Sequence, residues 1–188
     1  MAENWMASVR TLEEARDFVL SVGICGVLHD KSGAPNLWDA IDAPDKQPGE
    51  SGWGEKMGLV WSWKNELPST FPDQIFYGKR AGGTAMLCGM EALRALYAKQ
   101  HRPLGSLSET AQRLYSYIAQ DPVTNSELKQ LAGMGGKAHK SAYDRALMEL
   151  QVTFNIARVN RTDSDGDTWT PFETQYPSFV REHGNGLE

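Results

Sequence analysis

At 188 residues the chain has room for one large domain or two small ones, and a 40% apolar fraction with six each of Trp, Tyr and Phe supplies a core. No apolar run approaches the roughly 20 residues of a membrane helix, and the opening MAENWMASVRTLEEARDF lacks the charged-then-apolar grammar of a signal peptide, so a cytoplasmic protein without membrane attachment is expected. A net charge of −5 excludes a chain that attracts polyanions over its whole surface, but positions 79–161 hold 12 Lys and Arg against 6 Asp and Glu, a local +6 that leaves −11 elsewhere. Such asymmetry points to nucleic-acid contact by one part of the chain, and competes with the plainer reading of solvated helix faces.

TLEEARDFVLSV (11–22) predicts a helix. Thr11 is a capping residue, Glu13 and Glu14 favour the first turn, Leu12, Ala15, Phe18, Val19 and Val22 share a face, and Gly23 stops it. ICGVL (24–28) reads as a short strand, and NLWDAI as a brief helical turn. DAPDKQPGESGWGEKMG (42–58) is rich in Pro, Gly and charge and reads as a loop. LVWSW (59–63) alternates, so a strand is expected with Leu59, Trp61 and Trp63 on one buried face. Lys64 and Glu66 then flank the strand end, and Glu66 is the weak acid/base candidate if a cleft lies there, with Tyr77 as a possible wall. IFYGK (75–79) is a second strand. A helix capped by Thr84 is expected to carry Met86, Leu87, Met90, Leu93, Leu96 and Tyr97 on one face. QHRPLGS (100–106) breaks it and marks a domain boundary.

The second half has a different grammar. LSETAQRLYSYIAQD (107–121) is a helix with Ser108 as cap. DPVTNSELKQLAG (121–133) holds a short helix capped by Thr124 or Asn125, and AHKSAYDRALMELQ (138–151) a longer one. VTFNIARV (152–159) reads as a strand, NRTDSDGDT (160–168) as a hairpin turn with Asp165-Gly166 at its tip, WTPFE as the returning strand, and YPSFVREH as a last short helix. Helix, short helix, turn, longer helix and two-stranded wing follow the order of a winged helix. Its expected core is Leu114, Ile118, Leu128, Leu131, Leu147 and Leu150. On the longer helix Ala142, Tyr143, Ala146, Leu147 and Leu150 face inward, and Lys137, Ser141, Asp144, Arg145 and Met148 face outward.

Candidate chemistry is sparse. Cys25 and Cys88 lie in apolar patterns and read as small buried hydrophobes rather than a disulfide or metal pair. His29, His101, His139 and His183 are scattered, with no HxxxH, HExxH or CxxC, so no metal site and no cofactor is expected. FYGKRAGG (76–83) places Lys79 and Arg80 beside glycines before a helix, yet matches neither GxxxxGK[ST] nor GxGxxG. Lys137, Lys140 and Arg145 can neutralise phosphates, and Ser141 and Arg145 can reach base edges. Arg158 and Arg161 lie in the wing among Asp163, Asp165 and Asp167, and Asp144 sits in the middle of the cationic face.

The strings TLEEARDFVLSVGICGVL, NLWDAI, WSWKNEL, FYGKR, LSETAQRLYSYI and GMGGKAHKSAYDRALMELQ resemble a small bacterial group related to the AlkZ-type winged-helix DNA glycosylases, over roughly 11–180. The resemblance implies a link to DNA. The glycosylases themselves remove alkylated bases and unhook crosslinks with a Gln-x-Gln or Gln-x-Asp pair on a strand, and are built from several winged helices. Here Gln74 is followed two residues on by Phe76, so that pair is missing.

The expected fold is therefore α+β: a C-terminal winged helix (104–188) packed on a smaller N-terminal α/β unit (1–103). The leading function is nucleic-acid binding, with double-stranded DNA as partner, through Lys137, Lys140, Ser141, Arg145, Arg158, Arg161, Lys79 and Arg80, without conserved glycosylase chemistry. Two alternatives stay open: a minimal DNA glycosylase-like hydrolase acting on damaged bases, and a protein-interaction module.

Overall fold

Thr11 starts the first helix, α1 (Leu12–Val22), through a reciprocal capping box: its hydroxyl accepts the Glu14 N–H at 3.2 Å, and the Glu14 carboxylate accepts the Thr11 N–H at 3.2 Å. The computed structural model describes residues 8–29, 33–162 and 166–183. Gly23 ends the helix at φ 73°, a conformation that glycine adopts without strain. Ala15, Phe18 and Val19 form its buried face.

The chain is a mixed α and β protein that divides into two units. The first contains residues 1–77, 84–93 and 160–163; the second contains 78–83, 94–159 and 164–188. In the first unit α1 is followed by β1 (Ile24–Gly26), α2 (Leu37–Ala40), α3 (Glu55–Thr70), β2 (Ile75–Lys79, whose last two residues belong to the second unit) and β3 (Ala85–Gly89). The sheet order is β1-β3-β2, and β1 and β3 are antiparallel with Cys25 opposite Leu87. Its core joins Phe18, Val19, Cys25, Leu37, Val60, Trp63, Leu67, Ile75 and Leu87.

Two expectations are overturned here. LVWSW is not a strand but the middle of α3. Of the buried positions, Val60, Trp63, Lys64, Leu67 and Pro68 recur at i, i+3, i+4, i+7 and i+8, the helical period, with Asn65 buried beside them, whereas Trp61 turns outward at 42% exposure. The loop expected over 42–58 accordingly ends at Gly54, φ 80°. Nor does a helix begin at Thr84: Met86, Leu87 and Cys88 are fully buried in the central strand β3, and α4 (Met90–Gln100) starts only after it. A short apolar run does not by itself tell a doubly covered strand from a helix turn.

In the second unit α5 (Glu109–Ile118) is capped by Ser108, which accepts the Ala111 N–H at 3.3 Å. Then come β4 (Val123–Thr124), α6 (Asn125–Leu131), a 3-10 turn (Lys137–His139), α7 (Lys140–Val152), β5 (Ile156–Arg158), β6 (Thr168–Pro171), α8 (Phe172–Gln175) and α9 (Pro177–His183). The three strands form an antiparallel sheet in the order β4-β6-β5, with Val123 opposite Trp169 and Ala157 opposite Thr170. Thr124, not Asn125, caps α6, in a second capping box with Glu127. The strand expected over 152–159 is shorter: α7 runs through Val152, and Phe154 turns the chain at φ 53° before β5. The expected tip Asp165-Gly166 lies in part outside the described residues.

Leu107, Ala111, Leu114, Ile118, Leu128, Tyr143, Leu147, Leu150, Ile156 and Trp169 form the core of this unit. Leu131, expected in that core, is 55% exposed: α6 ends there, one turn beyond Leu128. Cys25 and Cys88 are free and buried, and burial pushes the Cys88 thiol up to about 12 and Cys25 higher still, as inert core cysteines behave.

Candidate nucleic-acid interface

The longer helix of the second unit sorts its side chains by face. Tyr143, Ala146, Leu147, Leu150 and Gln151 are buried, and Ala142 packs half-buried at the edge of the same core. Two contacts fix the rotation of α7, and a third anchors one of their partners. Ser108 Oγ at the start of α5 donates to Glu149 Oε2 at 2.6 Å. Tyr143 Oη donates to Asn125 Oδ1 at 3.1 Å, and Trp169 Nε1 donates to the same oxygen at 2.9 Å. Asn125 thus ties α6, α7 and β6 together. In the sequence it stands out only as a rival capping residue; its role depends on two partners 18 and 44 residues away. Lys129 lies over the Tyr143 ring, 5.0 Å from its centre, and burial pushes the Tyr143 hydroxyl up to about 12, with Asp144 adding to the shift.

The opposite face is open. Lys137, Lys140, Ser141, Asp144, Arg145 and Met148 line a shallow cavity of about 600 Å³. All but Met148 are exposed. Asp144 pairs with Lys140 at 3.7 Å, one turn apart on the helix, and Arg145 Nε donates to the Ser141 carbonyl at 3.2 Å. Two of the three cations therefore rest on their own helix. Both contacts are solvent-exposed, and an exposed i,i+4 ion pair such as Lys140–Asp144 contributes only about 0.3–0.5 kcal/mol, so Lys140 can be recruited at small cost.

The other cations are placed differently. Arg158 does not line this cavity: its side chain is 8% exposed and meets Asp167, just before β6, at 3.5 Å. Arg161 is half-buried and falls with residues 160–163 in the first unit. Lys79 is half-buried and Arg80 follows it in the second unit, on a turn whose end, Gly83, lies against Met148.

In the first unit, Glu66 accepts a hydrogen bond from Ser62 Oγ one turn earlier on α3. Lys64 is buried and lies 4.1 Å from the Trp61 ring centre and 5.5 Å from that of Tyr77, and it donates to Asn65 Oδ1 at 3.1 Å. These contacts fix a lysine against aromatic faces.

Among the described residues no group of three or more His, Cys, Asp or Glu side chains could hold a metal ion, and no helix is long and apolar enough to cross a membrane. No curated protein and no solved structure matches the chain. The family model described as AlkZ related matches residues 9–175, and the chain belongs to that family.

Proposed function

We propose that the second unit is a winged helix that binds nucleic acid, double-stranded DNA first, through the outward face of α7. The observation that carries the reading is the gathering of Lys137, Lys140, Ser141 and Arg145 on one solvent-facing cavity of a helix whose rotation is fixed from behind. The element order α5-β4-α6-α7-β5-β6, with the sheet β4-β6-β5, is that of a helix-turn-helix with a two-stranded wing, in which the last helix before the wing enters the major groove. Membership of the AlkZ-related family supports a DNA connection. The glycosylase chemistry is not part of the proposal: two residues after Gln74, where the Gln pair would need a second polar side chain, stands Phe76 at 2% exposure.

The test is equilibrium binding of a labelled duplex as a function of salt. Three phosphate contacts from Lys137, Lys140 and Arg145 give a log–log slope of about −2.7, or a loss of affinity of about 40-fold between 50 and 200 mM salt. Replacing all three by Ala should remove that share of the salt dependence for every duplex sequence alike. Binding that ignores salt, or a triple variant that binds as the wild type does, overturns the proposal.

A further inference from the structure

The FYGKRAGG stretch, with the candidate cations Lys79 and Arg80, does not line the α7 cavity. Its turn is well defined: the Gly83 N–H donates to the Arg80 carbonyl at 2.9 Å, and Gly82 and Gly83 adopt φ 90° and 83°, the left-handed region that side chains rarely occupy. Gly83 is also held close. A Cβ built on it would stand 2.8 Å from Met148 Cε and 3.1 Å from Met148 Sδ. The positive φ calls for glycine at this position, and the approach of the flexible Met148 tip shows that the turn lies against α7. Met148 closes the end of the α7 cavity away from Lys137.

We propose that the turn from Lys79 to Gly83 is a second phosphate-contacting arm of the same interface, so that nucleic acid is held by two elements, α7 and this turn. The inference rests on the nucleic-acid reading of α7. From Lys140 to Met148 the helix rises about 12 Å at 1.5 Å per residue, and over that distance a DNA strand carries three to four phosphates. The cavity-lining cations are Lys137 just before α7 and Lys140 and Arg145 on it, and none follows Arg145. At the Met148 end lies Gly83 instead, and the half-buried Lys79 and Arg80 precede it by four and three residues in the same unit. Cations on a backbone turn meet phosphates and carry no base readout, so this arm adds affinity without sequence preference.

The experiment uses the full chain and a labelled duplex of about 20 base pairs, titrated between about 50 and 200 mM salt. Lys79→Ala/Arg80→Ala should lower the slope by about 1.8, so that affinity changes about 12-fold less across that range than in the wild type. Lys79→Arg/Arg80→Lys should restore it. Gly83→Ala should act in the same direction with every charge kept, because a side chain at φ 83° strains the turn; an unchanged melting temperature for the charge variants separates binding from folding. If the double Ala variant keeps the full slope while the α7 triple variant loses its own, the turn is not part of the interface and the proposal is overturned. A wild-type chain without salt-dependent binding overturns the reading of α7 itself, and this inference with it.

Discussion

Trp61 and Trp63 should answer differently to truncation. On a strand they share a face and would cost about the same; on α3 they point nearly opposite ways, at 42% and 6% exposure. A fully buried Trp removes about 150–250 Å² from water, worth about 4–6 kcal/mol at 25 cal/mol per Å² as an upper estimate. Trp63 is nearly in that limit and sits among Val60, Leu67 and Ile75, so Trp63→Ala should cost about 3–5 kcal/mol, including the void it leaves. Trp61 opens to solvent, so its removal leaves no enclosed void. It forfeits part of its burial and the Lys64 contact, itself worth about 0.5–1 kcal/mol, for a total of about 1–2 kcal/mol. At about 2–4 °C per kcal/mol for a chain of this size, calorimetry should find Trp63→Ala lowering the transition of the first unit by at least about 6 °C, and Trp61→Ala by clearly less. Equal shifts would refute the helical assignment of this stretch and the burial argument with it.

Gly58 lies inside α3 with no atom within 4 Å of the place a Cβ would occupy, so Gly58→Ala should raise stability by about 0.5–1 kcal/mol in denaturant melts. Leu147→Ala should cost about 2–5 kcal/mol, whereas Leu131→Ala, at an exposed helix end, should stay within about 0.5 kcal/mol; a reversed order would place the core on the wrong face. The Thr124 hydroxyl and N–H hold the Glu127 carboxyl below the ordinary glutamate range. Its contribution is therefore present at neutral pH and lost as pH falls through that lowered value, and Thr124→Ala should cost about 1 kcal/mol at pH 7 and flatten the acid limb of the stability profile. Asp144→Asn releases Lys140 and removes the one carboxylate from the cationic cavity, so duplex binding should tighten at low salt; weaker binding would mean that Asp144 reads a base or holds Lys140 in place.

The stretch WSWKNELP shows where hydropathy stops being a guide. Its buried stripe has helical spacing, but three of the six buried positions are Lys64, Asn65 and Pro68, which are not counted as apolar, and the outward Trp61 is. Pro68 adds to the misdirection, since proline in a helix interior is costly and usually marks an end. Here it lies two residues before the end of α3 at Thr70. The Met86–Cys88 run misleads for a related reason: a strand covered on both faces has no alternation to read, and only its pairing with β1 and β2 makes it a strand.

Where each element carries its own local signal, the sequence is enough. Thr11 and Ser108 cap the helices they are expected to cap, Thr124 is one of the two caps expected for α6, and the inward face of α7 needs only one apolar stripe to be read. The outward face follows by subtraction, which is why Lys137, Lys140, Ser141, Arg145 and Met148 meet in one cavity as the periodicity places them. Arg158 fails the same logic because β5 is buried at all three positions, so alternation along a strand does not separate an inner from an outer face. Nor is the closeness of Gly83 to Met148 legible: two residues so far apart in the chain share a contact that no local pattern encodes. Screening confines each charge to a neighbourhood of about 8–10 Å at physiological salt. A net charge of −5 on the chain therefore says little about α7, and the groups within that radius of its outward face decide whether a phosphate is attracted there.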